Sequence, residues 1–264
     1  MNQPDNTNIH KIVQKYYGAI AISGNSCCNQ PVAPDYSQQI GYTADTLTLI
    51  PDGADLGLGC GNPTAFAALR EGETVLDLGS GGGMDVFIAA HHVGHTGKVI
   101  GVDMTQDMID LAHRNTSKGD YPQVEFRLGH IEDLPVDNDC IDVVISNCVV
   151  NLSPDKAKVY QEAFRVLKPG GRLSISDPVR VGNIPEDVAN REDAYCGCIA
   201  GAATITEITA YLQAAGFTNI NIYPKGASTE IINSWAQGNV QTPPGQYVMS
   251  MIIEAQKPDL SPKK

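Results

Sequence analysis

The sequence predicts an α/β fold, a doubly wound and mostly parallel seven-stranded sheet with helices on both faces. Three observations predict it. From residue 74 onward, short runs rich in Val, Ile and Leu alternate with amphipathic helical runs. The first five apolar runs end at polar residues or glycine, as strands buried on both faces of a parallel sheet do. The first of them opens straight into a glycine loop, Gly79-Ser80-Gly81-Gly82-Gly83, where a helix pattern begins near Met84.

Taken in order, residues 1–72 carry one helical pattern, Ile9–Ile22, followed by a long loop rich in Gly, Asn and Pro that holds Cys27, Cys28 and Cys60. Strands are expected at Thr74–Leu78, Lys98–Asp103, Val124–Leu128, Ile141–Ser146, Arg172–Asp177, Asn219–Tyr223 and Tyr247–Glu254. The clearest helix follows Ser153-Pro154, with Ser153 suited to the N-cap and Pro154 to the first helical position. Val159, Tyr160, Ala163, Phe164 and Leu167 then recur at helical spacing, and Lys168-Pro169-Gly170-Gly171 ends the run. Residues 178–204 break the alternation after the fifth strand and carry Cys196 and Cys198. Such an insertion starts at the carboxyl ends of the strands, where ligands bind in this architecture. The expected division is 1–72 as an N-terminal helix and substrate loop, 73–177 as the cofactor-binding core, and 178–264 as a cysteine-bearing insertion that completes the sheet.

The chain has 264 residues, 42% of them hydrophobic, which is enough for a core without disulfides. The formal net charge of -12 disfavours nucleic acid and anionic membrane partners. No apolar run approaches the roughly 20 residues that cross a bilayer, and the start Met1-Asn2-Gln3-Pro4-Asp5 does not read as a secretory signal. A cytoplasmic location is expected, with the seven cysteines as thiols.

The glycine loop is not a dinucleotide fingerprint, because Met84 stands where that motif wants Gly or Ala for close helix packing. Asp77, two residues before the first glycine, is a poor neighbour for a pyrophosphate and a good one for an ammonium group. Asp103 ends the second strand, where an acid meets ribose hydroxyls. Gly129-His130-Ile131-Glu132-Asp133 follows the third strand, on the side where an adenine sits. A cofactor with an amine, a sulfonium and no phosphate fits this set, and that is S-adenosylmethionine. The expected binding residues are Asp77, Gly79, Ser80, Gly81, Gly83, Asp103, Met104, Ile131, Glu132 and Asn147. His130 offers a base but reads better as a solvated loop histidine.

The cysteines do not show the paired Cys-x-x-Cys units of structural zinc. Cys140, ahead of the fourth strand, reads as a small packing residue. Cys60, flanked by Gly59 and Gly61, is expected in an exposed or strained loop. From about residue 70 on, the pattern resembles the class I methyltransferase superfamily with its Rossmann-like sheet. Gly57-Leu58-Gly59-Cys60-Gly61-Asn62-Pro63 and Ser146-Asn147-Cys148-Val149-Val150-Asn151-Leu152 resemble, more narrowly, the arsenite methyltransferase family. That resemblance implies trivalent arsenic, as arsenite or a thiol conjugate, held as substrate by Cys60, Cys148 and an insertion cysteine, Cys198 rather than Cys196. It also implies a redox role for an N-terminal cysteine, Cys27 or Cys28, with glutathione or thioredoxin as reductant. Two rival functions share the same loop: methyl transfer to carbon, oxygen or nitrogen, as in the quinone-pathway enzymes, and thiol sequestration of a metalloid without catalysis.

Overall fold

The computed structural model of the protein describes residues 6–23, 35–235 and 241–259. Cys27 and Cys28 lie outside the described residues. In chain order the elements are α1 (Asn6–Ser23), α2 (Tyr36–Gln39), α3 (Ala44–Leu47), β1 (Thr74–Leu78), α4 (Met84–Val93), β2 (Lys98–Asp103), α5 (Gln106–Thr116), β3 (Val124–Leu128) and β4 (Ile141–Asn147). Then come α6 (Lys156–Val166), β5 (Leu167–Arg180), α7 (Glu186–Ala189), α8 (Glu192–Cys196), α9 (Ile205–Ala215), β6 (Thr218–Pro224), α10 (Thr229–Ser234) and β7 (Val248–Gln256).

The strands form one seven-stranded sheet in the order β3-β2-β1-β4-β5-β7-β6. β7 runs antiparallel to both β5 and β6, and the other pairings are parallel. Apolar side chains fill both faces. Val86, Phe87, Ala90, Ile109 and Ala112 from α4 and α5 pack on one. Val159, Ala163, Val166, Ile208 and Leu212 from α6 and α9 pack on the other. The chain winds outward from β1 through β2 to β3, then returns to start again at β4. The crevice between the carboxyl ends of β1 and β4 is therefore the switch point, where open sheets of this kind bind ligands.

Two elements depart from the sequence expectation. Helix α6 begins at Lys156, with Asp155 as the N-cap accepting the Lys158 amide. Ser153 is in extended backbone, and its hydroxyl is occupied: it accepts the Asp155 amide and donates to Glu132. Strand β5 runs from Leu167 to Arg180, well beyond 172–177: Leu167, expected on the helix, opens it by pairing with Ile141 of β4, and β7 pairs with it from Arg172 to Arg180. Among the described residues, no helix is long and apolar enough to cross a membrane.

Candidate functional site

A cleft of about 980 Å³, counted out to its mouth, lies at the switch point. Its floor is the glycine loop. Gly79 and Gly81 both hold positive φ, +70° and +52°, a conformation that costs glycine nothing. Its walls include Asp77, Asp85, Asp103, Met104, Ile131 and Glu132. The Asp103 carboxylate accepts the Gly81 and Thr105 amides at 3.0 and 2.8 Å and so braces the loop. Ser80 lines the cleft with a buried hydroxyl that has no partner among the described residues. Gly83 was expected beside the cofactor but does not line the cleft. It caps α4 at φ +97°, and a Cβ there would meet the Phe87 and Phe126 rings at 2.7 and 2.8 Å, so the close packing of this turn requires glycine.

The electrostatics of the cleft are one-sided. Asp77 and Asp85 are buried, and no lysine or arginine lines the cleft among the described residues. Burial, then the neighbouring Asp85 and Asp103 charges, pushes the Asp77 carboxyl well above its ordinary value. Burial pushes Asp85 up to about 6 against the pull of hydrogen bonds from Tyr42 and Asn147. Burial also raises Asp103. A ligand carrying positive charge relieves all three.

The roof was missed by the sequence reading. Helix α1 was expected, but its place was not: it packs on α5 and α8 and crosses the cleft. His10, Val13 and Tyr17 face the cavity. His10 Nε2 lies 2.9 Å from Glu132 Oε1, Gln14 donates to the Met104 carbonyl at 3.0 Å, and the Tyr17 hydroxyl donates to the Cys196 carbonyl at 2.8 Å. The apolar spacing Ile9, Ile12, Val13, Tyr16, Tyr17 signalled a helix with a buried face, but not what that face covers. His130 is not a solvated loop residue. It is half-buried, its ring centroid is 4.7 Å from that of His10, and its Nδ1 has no partner among the described residues.

Beside the cleft, Cys60, Cys148, Cys196 and Cys198 share one apolar cluster with Val13 and Leu152. Three distant segments supply them. Of the two expectations for Cys60, an exposed or a strained loop, exposure is not met: the residue is fully buried. Those glycines let the loop press inward instead. A Cβ on Gly61 would sit 2.1 Å from Ser176 Oγ, and one on Gly59 would sit 2.7 Å from Asn147 Nδ2. Asn147, expected to meet the cofactor, also lines the cleft and spends its amide on this loop. It accepts the Cys60 amide at 3.0 Å and donates to the Gly61 carbonyl at 2.8 Å and to the Tyr42 hydroxyl at 2.9 Å.

Cys148 and Cys198 both hold left-handed backbone, φ +62° and +60°. For a side chain with a Cβ this costs on the order of 1–3 kcal/mol and marks sites where orientation is enforced. Cys198 Sγ donates to the Cys148 carbonyl at 2.9 Å. The sulfurs of Cys60 and Cys148 and a carboxylate oxygen of Asp177 lie within 4.8 Å of one another. Burial, then hydrogen bonding with Cys198 and Cys60, pushes the Cys148 thiol well up. The hydrogen bond with Cys148 pulls Cys198 down, burial and Asp177 push it up, and the net direction is upward. Burial pushes Asp177 up to about 7, moderated by Lys156 and by the amides of Asn151, Val150 and Val149. Burial pushes Cys196 up to about 12. Such thiols keep their protons until a thiophilic centre displaces them. Cys140 sits apart, half-buried against the core, its thiol donating to the Asp137 carbonyl.

A methyltransferase-domain family model matches residues 69–216. The chain is 48% identical to an arsenite methyltransferase of Halobacterium salinarum over 94% of its length and 66% of that protein's. It is 34% identical to an arsenite methyltransferase of Aquipseudomonas alcaligenes over 80% of its length and 62% of that protein's. The chain thus spans about two thirds or less of these curated relatives. The crystal structure of an arsenic(III) S-adenosylmethionine methyltransferase from Chlamydomonas reinhardtii matches with a TM-score of 0.61 and 28% identity, covering 88% of this chain and 75% of that one. The chain belongs to the methyltransferase-domain family and carries the class I S-adenosylmethionine-dependent methyltransferase fold.

Proposed function

We propose that the chain transfers the methyl group of S-adenosylmethionine to trivalent arsenic held by the thiols of Cys60, Cys148 and Cys198, with arsenite or a thiol-conjugated arsenite as substrate. The observation that carries this reading is the convergence of these cysteines, from three separate segments, into one buried cluster against the cleft. The likeness to arsenite methyltransferases supports it. In this reading residues 73–177 carry the cofactor, and 1–72 and 178–264 bring the other thiols to Cys148.

The cleft suits the cofactor by its buried carboxylates and its lack of lining cations among the described residues. Asp77 would hold the amine, Asp103 the ribose hydroxyls and Ile131-Glu132 the adenine, with Gly79, Ser80, Gly81, Met104 and Asn147 around them. When bound, S-adenosylmethionine supplies an electrophilic methyl group on a positively charged sulfur. The residues of the chain do the rest by loading and aiming the nucleophile. Three thiols and arsenite form three arsenic–sulfur bonds and three waters, each thiol proton leaving on the hydroxide it displaces. Sulfur suits this soft centre where carboxylate does not. Arsenic keeps a lone pair, so the nucleophile has no proton to remove and needs no general base. Rate comes from holding that lone pair toward the cleft.

Methyl transfer formally raises arsenic to the pentavalent state. The thiol of the N-terminal cysteine attacks the arsenic-bound sulfur of Cys60: a sulfur–sulfur bond forms, the arsenic–Cys60 bond breaks with its electron pair left on arsenic, which returns to the trivalent state, and one thiol proton is released. Cys60 with Cys27 or Cys28 is the proposed pair, reopened by glutathione or thioredoxin in the cytoplasm. The test is incubation with arsenite, S-adenosylmethionine and a thiol, followed by arsenic speciation. Methylated arsenic is expected from the wild type and not from Cys148→Ser, whose hydroxyl is too hard and too weakly acidic. Unmethylated arsenic throughout overturns the reading.

A further inference from the structure

At the rim of the cleft, three side chains that arsenic loading does not use come together. His10 rides on α1, while His130 and Glu132 flank Ile131 in the turn after β3. One ligand atom from each lies within 4.8 Å of the other two. His10 Nε2 and Glu132 Oε1 are 2.9 Å apart, and the two imidazole rings tilt toward each other at 51°. Two polar atoms of the trio, His130 Nδ1 and Glu132 Oε2, are shut off from solvent with no partner among the described residues. Leaving such atoms unpaired is costly, and a bound cation removes that cost.

The geometry points to a binding site for a divalent transition-metal cation, of the zinc, cobalt or nickel class, held by His10, His130 and Glu132. Imidazole nitrogen suits these metals. Two histidines and a glutamate with a fourth position open is a ligand set that zinc uses. Calcium and magnesium ask for more oxygen ligands than one carboxylate offers. The Ser153 hydroxyl donates to Glu132 Oε1, the kind of outer hydrogen bond that orients a ligating carboxylate. Because His10 belongs to α1 and the other two to the sheet body, the cation ties the roof helix to the core. Glu132 is also the carboxylate given to the adenine above. On that reading, which this consequence rests on, cation and cofactor compete for one group.

The experiment is a titration of the full chain with Co²⁺, without cofactor, followed by visible absorption and calorimetry. One equivalent is expected with a nitrogen- and oxygen-ligated spectrum, lacking thiolate-to-cobalt charge transfer, whatever further metal the thiols take up. His10→Ala and His130→Ala should each weaken that equivalent tenfold or more, Ser153→Ala about tenfold, and Cys60→Ser/Cys148→Ser should leave it in place. Circular dichroism checks each fold, and His10→Gln replaces His10→Ala if that variant does not fold. Absence of binding, or cobalt bound only through thiolate and insensitive to the histidine changes, overturns the site. Repeating the titration with S-adenosylhomocysteine separates the two claims. Weaker cobalt binding is expected. Unchanged binding at the histidines leaves the cation site standing and contradicts the placement of adenine at Glu132.

Discussion

Replacing Asn147 by alanine tests how the thiol cluster is assembled. The Asn147 amide is the tie between the end of β4 and the loop that carries Cys60. Removal leaves the Cys60 amide and the Gly61 carbonyl, both on buried residues, without their partner. At roughly 1–2 kcal/mol for each group, the fold should lose about 2–4 kcal/mol. For a chain of this size that is a fall in melting temperature of roughly 5–15 °C. The loop, once freed, no longer presents Cys60 to Cys148, so arsenite binding should weaken as well. The single tryptophan, Trp235, reports on this directly. It packs against the cysteine cluster, and its indole N–H donates to the Tyr36 hydroxyl, which donates in turn to the Gly59 carbonyl. Titration of intrinsic fluorescence with arsenite should give a clear change in the wild type and a weaker, right-shifted one in Asn147→Ala. An unchanged melting temperature with an unchanged titration would refute the idea that Asn147 holds the loop.

Three further outcomes are expected. Asp77, Asp85 and Asp177 are buried carboxyls raised above their ordinary 3.8, the last two to about 6 and about 7. The folded chain therefore binds more protons than the unfolded one between about pH 4 and pH 7. Stability from these groups is full below pH 4 and is lost as pH rises, by about 1.4 kcal/mol for each pH unit until the folded value is passed, about 6 for Asp85 and about 7 for Asp177, with Asp77 acting in the same direction. Thermal melts should then run lower at pH 8 than at pH 5, and the reverse order contradicts the burial argument. Asp103→Ala should weaken S-adenosylmethionine by about 1–3 kcal/mol in calorimetry, since it removes an acceptor and the brace on the Gly81 amide; unchanged affinity rules out the ribose placement. Cys27→Ser/Cys28→Ser should slow multiple-turnover methylation of arsenite more than that of methylarsenite, because two thiols suffice for the latter; equal rates with the wild type on arsenite exclude the redox role.

Much of the sheet was legible because buried parallel strands leave a local mark. Val75, Leu76, Val99, Ile100, Val143 and Val144 form continuous apolar runs cut off by glycine or a polar residue, and β1, β2 and β3 begin and end where those runs do. β5 exceeded its apolar run because pairing with remote strands decides its length, with β4 at Leu167 and with β7 as far as Arg180. The start of α6 was misplaced because Ser153 turns its hydroxyl to Glu132 and the Asp155 amide, a contact between remote segments. Cys60 reads as exposed or strained from its two glycines alone. Its burial follows from Asn147 and Ser176 lying against those glycines, which no local pattern announces. The roof was hidden for the same reason. The periodicity of α1 shows a buried face, but only the folded chain sets His10 beside His130 and Tyr17 over Cys196.

Arsenic K-edge X-ray absorption of the arsenite complex addresses the central claim most directly, because it counts the atoms bound to arsenic. Three sulfur neighbours and no oxygen are predicted for the wild type, and two sulfurs with one oxygen for Cys60→Ser and for Cys198→Ser. Oxygen-dominated coordination in the wild type, or a sulfur count that neither substitution changes, would contradict the assignment of Cys60, Cys148 and Cys198 as the arsenic-holding thiols.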